Sequence, residues 1–214
     1  MSLSGVLIVT VACVYLPTAP SDDSLPVLGA CGLLPNYVES GLADQQPPRL
    51  LRWRDFPVRV HVDSRGAPDA LRPVYDAAAM RGTESWSTVT DGRIGRASYV
   101  STPSAAQIVV RFVFGTGTTA SAATTAQFSG RLLIRATTAV NRPAGDIEQL
   151  ERGDEDQVTR AIVQMVGHEM GHALGILLHS PDPGDLIARV IQVSGDGNGI
   201  TPSDHHTLLQ AYCQ

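Results

Sequence analysis

The sequence has little of what marks a membrane, nucleic-acid-binding or disulfide-rich protein. Its 214 residues include three cysteines, charged residues make up 17% of the chain, and the formal net charge is −5. This balance gives no electrostatic reason to expect nucleic acid or an anionic membrane surface as a partner. The apolar run at residues 5–16 has 12 residues, whereas a membrane-spanning helix needs about 20. We therefore expect a globular chain without a stable membrane span, long enough for one domain plus an extension.

The residues that carry chemistry lie between positions 168 and 179. His168 and His172 are four residues apart, so on a helix they point the same way and can bind one metal ion. Glu169 lies between them, where it can accept a proton from a water held at the metal. Gly175 lets the helix end and the chain turn, and His179 follows the turn. This layout predicts a zinc-dependent peptidase, and no serine or cysteine lies in a triad-like pattern that would support a covalent nucleophile.

The surrounding residues decide whether this short match is more than chance, because a histidine on an apolar face is usually an ordinary core residue. Asp154 is placed as an N-cap, with Gln157 completing a capping box. Apolar residues then recur at helical spacing at Val158, Ala161, Ile162, Met165 and Val166. His168, Glu169 and His172 continue the same stripe. A glutamate on a buried face needs a partner, and a metal ion with its water supplies one.

A catalytic zinc takes three protein ligands and keeps one position open. One large class of such enzymes uses a glutamate further along the chain, but no glutamate follows Glu169, which excludes that class. The remaining candidates for the third ligand are His179 and an aspartate such as Asp182. We favour His179, because it follows the glycine turn.

Residues 168–175 (HEMGHALG) and 179–187 (HSPDPGDLI) together resemble the metzincin metalloproteases, and among them the matrixin-like group. The resemblance implies one catalytic Zn²⁺ bound by His168, His172 and His179, with Glu169 as the general base. The chain departs from the family pattern at two points. Three residues instead of two separate Gly175 from His179, and isoleucine replaces methionine in the turn expected beneath the zinc.

The resemblance covers residues 49–214, with further similarity at 53–60, 106–112 and 200–204. It implies a metzincin-like fold, and the periodicity independently predicts an α+β fold. We expect a twisted mixed sheet of about five strands, a long zinc-binding helix and a C-terminal helix. The predicted strands span 57–62, 96–100, 107–114, 124–128 and 132–137. The predicted helices are 68–88, the zinc helix, and a closing helix from Pro202.

The strand at 124–128 is the expected binding site for substrate. An extended peptide can add to an exposed edge strand through backbone hydrogen bonds, and this would place its scissile carbonyl at the metal. An ordinary solvated edge explains the same sequence equally well.

We divide the chain into a signal-like N-terminal extension, 1–48, and a catalytic domain, 49–214. The apolar run 5–16 suits the core of a secretory signal, so we expect a secreted or cell-envelope protein. The alternative is a poorly ordered leader or a misplaced start codon. Residues 28–31 also resemble a lipoprotein cleavage box, which would attach lipid at Cys31. In an exported protein Cys31 and Cys213 can form a disulfide.

The predicted function is hydrolysis of internal peptide bonds in a peptide or protein substrate, by a monomer. The alternative is a catalytically impaired metzincin-fold protein that binds zinc or peptide, which the longer turn and Ile187 favour and the retained Glu169 opposes. A structural zinc site is a third possibility, but no nearby cysteine offers the fourth ligand it needs. Residues 196–199 have a faint likeness to a calcium loop, although a plain turn explains them as well.

Overall fold

The computed structural model shows an α+β architecture. The residues that it describes are 8–15, 32–43, 49–115, 121–143, 155–191 and 199–213. They form a mixed β-sheet and three α-helices, which confirms the predicted class in coarse terms. No helix in these ranges combines the length and the apolar character needed to cross a bilayer.

Some predicted features fall outside the described ranges. They include the N-cap at Asp154 and residues 196–198 of the calcium-like turn. Cys213 is buried, with 7% of its surface exposed, but its predicted disulfide partner Cys31 is among the residues not described. The disulfide, the lipid attachment and the calcium site therefore stay predictions.

The five strands expected from the sequence are all present. In chain order the strands are β1 (Ile8–Tyr15), β2 (Leu42–Ala43), β3 (Val58–Asp63), β4 (Ala97–Tyr99), β5 (Ile108–Gly115), β6 (Ser121–Ser129), β7 (Leu132–Pro143) and β8 (Leu178–His179). The main sheet has the order β1-β6-β7-β5-β3-β4, while β2 and β8 form a separate antiparallel pair. Within the main sheet β6 runs antiparallel to β7, and β3, β4, β5 and β7 are mutually parallel. The sheet is therefore mixed, as expected.

The strand expected at the exposed edge is not at the edge. β6 pairs with β7 on one side and, in parallel, with β1 on the other, from Ile8 opposite Ser121 to Tyr15 opposite Phe128. The prediction of an exposed edge at 124–128 is thus wrong for the whole chain. The physical reason is that an unpaired strand edge offers free N–H and C=O groups, and the apolar N-terminal run supplies a strand that satisfies them.

Two of the three helices lie close together behind the sheet. The helices are α1 (Arg72–Val89), preceded by a 3₁₀ turn at Asp69–Leu71, then α2 (Glu155–Leu174) and α3 (Pro202–Ala211). A Cβ atom at Gly82 would lie 2.7 Å from the carbonyl oxygen of Val163, so glycine allows α1 to approach α2 closely. The indole nitrogen of Trp86 donates to the carbonyl oxygen of Gly167 at 2.7 Å. Together these contacts fix α2 immediately before His168.

The start of α3 agrees with the prediction. Thr201 is its N-cap, and its hydroxyl accepts a hydrogen bond from the backbone N–H of Asp204 at 3.2 Å. The Asp204 carboxylate accepts in return from the N–H of Thr201 at 3.1 Å, which completes a capping box. Pro202 occupies the first turn, where its missing N–H costs nothing.

Gly175 ends α2 in a conformation that an L side chain rarely adopts. Its φ is +128°, and a Cβ atom there would collide with the carbonyl of Leu51. The Gly175 carbonyl accepts from the N–H of Leu51 at 2.8 Å, so the turn is anchored to the preceding segment. The predicted turn glycine is thereby confirmed.

We expect Gly175→Ala to lower the free energy of unfolding by at least about 2 kcal/mol, because it adds backbone strain and a steric clash. Denaturant unfolding monitored by circular dichroism measures the loss. Gly199→Ala is the matched control, since a Cβ atom at Gly199 would meet nothing within 4 Å. Equal stability of the two variants would contradict the role assigned to Gly175.

Candidate metal centre

Three histidines meet in the interior of the protein. His168 and His172 lie one turn apart on α2, and His179 reaches them from β8 after the Gly175 turn. All three are fully buried. The Nε2 atoms of His168 and His172 are 3.0 Å apart, and one nitrogen from each of the three rings lies within 4.8 Å of the others. This group can hold a metal ion.

Backbone carbonyls orient two of the imidazole rings. Nδ1 of His168 lies 2.6 Å from the carbonyl oxygen of Leu186, and Nδ1 of His172 lies 2.6 Å from that of Ile176. A carbonyl oxygen can only accept, so each Nδ1 carries the proton and donates it. In the neutral rings Nε2 then presents a lone pair. A second partner that fixes the ring in this way is typical of histidines that bind metals.

The lowered pKa values of the three histidines keep their rings neutral, so that their nitrogens can bind a metal ion instead of a proton. Burial, followed by the neighbouring imidazole, lowers the pKa of His168 well below its ordinary value. The same causes lower the pKa of His172 to about 3, with His179 as its neighbour, and that of His179 to about 3, with His168 as its neighbour. At neutral pH the rings are therefore uncharged. Two buried Nε2 lone pairs that face each other at 3.0 Å repel unless a cation lies between them, so the donor set fits a metal ion.

The structure brings His179, rather than Asp182, to the other two histidines. Asp182 is exposed, and its Oδ1 accepts a hydrogen bond from the N–H of Gly184 at 2.8 Å, within the turn that it forms. The turn after Gly175 is one residue longer than in the metzincin pattern. Ile176 forms an isolated β-bridge with Leu50, and β8 pairs with β2, so the backbone of the longer turn is held in place. The extra residue therefore does not keep His179 from the group.

Glu169 is fully buried beside the histidines. Its Oε2 accepts a hydrogen bond from the hydroxyl of Thr124 at 2.6 Å, whereas Oε1 has no hydrogen-bond partner among the described residues. Burial raises the pKa of Glu169 to about 8, and the Thr124 hydroxyl opposes that rise. One carboxylate oxygen is thus held in place and the other is available to a proton donor from outside the chain.

Two threonines support this carboxylate, and the sequence did not identify either of them. The hydroxyls of Thr124 on β6 and Thr138 on β7 are 2.9 Å apart, and both residues are fully buried. Because the Thr124 proton goes to Glu169, Thr138 donates to Thr124. The alternation of β6 places Thr124 on the inward face. However, the contact joins residues 45 positions apart, so no local pattern reveals it.

Ile187 packs against the helix that carries two of the histidines. It is fully buried, and a Cβ atom at Gly171 would clash with its side chain and with Trp86. Gly171 lies on α2 between the two histidines, so the absence of a side chain there lets Ile187 pack directly against the metal-site turn of the helix. Isoleucine fills the space by shape alone, without a sulfur atom.

Comparison of the sequence with models of known protein families gives no match, and no curated protein matches the chain at a significant level. The function must therefore be inferred from the histidine group, the buried glutamate and the elements that hold them.

Proposed function

We propose that this protein is a zinc-dependent endopeptidase of the metzincin type, in which His168, His172 and His179 hold the metal and Glu169 is the general base. The observation that carries the proposal is the buried group of three neutral imidazoles beside a buried carboxylate with one unpartnered oxygen. A purely structural metal site would need a fourth protein ligand and would have no use for the carboxylate.

Zinc is the metal that the donor set favours. Three imidazole nitrogens suit zinc, and three protein ligands leave a coordination position open, as in catalytic zinc sites. When bound, zinc would act as a Lewis acid that lowers the pKa of a water molecule and polarises a substrate carbonyl. The chain's own residues hold this site through the carbonyls of Leu186 and Ile176.

Glu169 is proposed to move the proton. Its Oε1 takes a proton from the attacking water, and the same carboxyl group then delivers it to the amine that leaves. Thr124 holds Oε2 during both transfers, so the carboxylate does not have to reorient. No covalent intermediate with the protein is needed.

The order of the elements supports a metzincin-like fold. A long helix carries two histidines and the glutamate, a glycine turn ends the helix, and the third histidine follows. A turn with a buried aliphatic residue, Ile187, then lies against the helix. The two departures from the family pattern are thus accommodated by the local packing, which supports activity over a decayed site.

The outer side of β6 is the proposed site for the substrate backbone, because Thr124 on this strand contacts the general base. β1 lies there in the whole chain. Substrate access therefore requires β1 to be absent, and we propose that the N-terminal run is removed on secretion. Expression in a secreting host, followed by N-terminal sequencing, tests this: a mature chain that still contains residues 8–15 would argue against it.

Cleavage of unfolded casein by the purified, secreted protein tests the proposed function. We expect cleavage that a zinc chelator abolishes and added zinc restores. A protein that holds one equivalent of zinc but leaves casein and a diverse peptide library intact would instead be the binding-only alternative. Cleavage that survives complete removal of metal would refute the zinc mechanism.

Thr124→Val should lower kcat about 10-fold and leave KM and zinc content unchanged. The substitution keeps the shape of the side chain but removes the hydrogen bond to Glu169, worth about 1–3 kcal/mol for a charged partner. Thr125→Val is the matched control, since Thr125 is its half-buried neighbour on the opposite face of β6. If both variants retain full activity, Thr124 does not position the base.

A further inference from the structure

The segment 32–43 lies N-terminal to the predicted catalytic domain, yet it contacts both β8, which carries His179, and α3. β2 pairs with β8, so that Leu42 lies opposite His179. Tyr37 is 2% exposed; its N–H donates to the hydroxyl of Thr207 at 3.0 Å and its own hydroxyl donates to the Asp204 carboxylate at 2.9 Å. The segment is therefore packed against two elements that border the histidine group.

Asp204 is the centre of a buried hydrogen-bond network. Its carboxylate is fully buried on the first turn of α3. Besides Tyr37 and the capping-box donor, it accepts from the backbone N–H groups of Leu186 at 2.8 Å and Ile187 at 3.3 Å. Hydrogen bonds to an ionised acceptor are stronger than neutral ones. The carboxylate thus fixes the peptide units 185–186 and 186–187, and the second of these carries the Leu186 carbonyl.

The carbonyl groups of the same two residues in turn contact His168 and the residue that follows His179. The carbonyl oxygen of Leu186 accepts from Nδ1 of His168 at 2.6 Å. The carbonyl oxygen of Ile187 accepts from the N–H of Ser180 at 2.8 Å, and Ser180 directly follows His179. A continuous path of hydrogen bonds therefore runs from Tyr37 through Asp204 to the ring of His168, with a branch to the strand of His179.

A second carboxylate braces the same segment. Asp185 accepts from the hydroxyls of Ser180 and Thr201, each at 2.5 Å. The backbone N–H of Thr201 also donates to Asp204 at 3.1 Å, so Thr201 joins the two carboxylates. Burial and the Asp204 carboxylate raise the pKa of Tyr37 well above its ordinary value, so its hydroxyl keeps its proton and remains a donor. Each of these polar groups is thereby satisfied, which makes the network rigid.

We infer that Tyr37 and Asp204 are positioning residues of the metal centre, and that the segment 32–43 is required for full metal affinity. Removal of the Tyr37 hydroxyl leaves Asp204 one donor short and loosens its hold on Leu186. The ring of His168 then loses its fixed orientation. This inference rests on the proposed function only in taking His168 as a ligand of zinc.

Zinc affinity of the full chain, measured by competition with a chromogenic chelator, is the first test. A group that hydrogen-bonds directly to a metal-binding histidine typically changes metal affinity by about 10–100-fold, and Tyr37 and Asp204 act on such a group, the Leu186 carbonyl. We expect Tyr37→Phe to weaken zinc binding about 10-fold, and Asp204→Asn to weaken it more. Tyr99→Phe is the matched control, because its hydroxyl bonds to Met80 and Glu84, away from the histidines. Zinc affinity of Tyr37→Phe equal to that of the unmodified chain would overturn the inference.

Proton exchange at the His168 ring, measured by NMR on the metal-free chain, tests the role of Tyr37 independently of the proposed function. We expect the Nδ1 proton of His168 to exchange slowly with solvent, and about 10-fold faster in Tyr37→Phe. A purely structural role would lower the melting temperature without changing this exchange, and that result would also overturn the inference. If the chain binds no zinc or cleaves no peptide, the proposed function fails, while the exchange measurement still decides the role of Tyr37.

Discussion

Glu169→Gln is expected to lower peptidase activity by about 10²–10⁴-fold, the contribution typical of a positioned general base, while zinc content stays at one equivalent. The amide has nearly the shape of the carboxylate, and its oxygen can still accept the hydrogen bond from Thr124. It cannot take a proton from water near neutral pH. The fold should be retained, because a neutral amide is no harder to bury than a carboxylate.

The measurement is kcat/KM on a casein-derived peptide, with zinc content determined in the same preparation. Glu155→Gln makes the same chemical change in the first turn of α2, at an exposed residue, and should retain full activity. Full activity of Glu169→Gln would refute the assignment of the base. Loss of zinc together with activity would instead show that Glu169 stabilises the metal site rather than moving a proton.

The part of the candidate metal centre that lies in one short segment of the chain could be predicted from the sequence. His168, Glu169 and His172 lie within five residues on one helix, and a period of 3.6 residues defines their common face. Gly175 is also local, because a helix end and a turn are decided by the neighbouring residues. The structure confirms the helix that carries these three residues and the turn at Gly175, together with the class of the fold and the five strands between Val58 and Pro143. The chemical roles of the three residues stay predictions.

The supporting residues could not be predicted, because their contacts join distant parts of the chain. Thr124 reaches Glu169 from a strand, and Tyr37 reaches Asp204 across 167 positions. Neither residue type indicates function by itself, since most buried hydroxyls simply satisfy a nearby acceptor. The incorrect prediction of an exposed edge at β6 has the same origin, because its outer partner β1 lies more than 100 residues earlier in the chain.

His179→Ala is expected to weaken zinc binding by more than about 100-fold and to abolish cleavage at stoichiometric zinc. Mutation of a residue that hydrogen-bonds to a metal ligand typically lowers metal affinity by about 10–100-fold. Loss of a direct ligand should therefore lower the affinity further. The two remaining histidines cannot complete a three-ligand site. The conformation of α2 should change little, because His168 and His172 keep their hydrogen bonds to backbone carbonyls. Competition with a chelator measures the affinity, and circular dichroism checks the helix content.

His205→Ala is the matched control, since it removes a half-buried imidazole that is not part of the histidine group. We expect it to bind zinc with unchanged affinity. If His179→Ala also binds zinc normally, the third ligand is another group, and Asp182 would be substituted next. That outcome would require the turn after Gly175 to rearrange when metal binds, because Asp182 is now held by Gly184. The distinction matters for mechanism, because a carboxylate ligand would lower the charge at the metal and weaken its effect on the pKa of water.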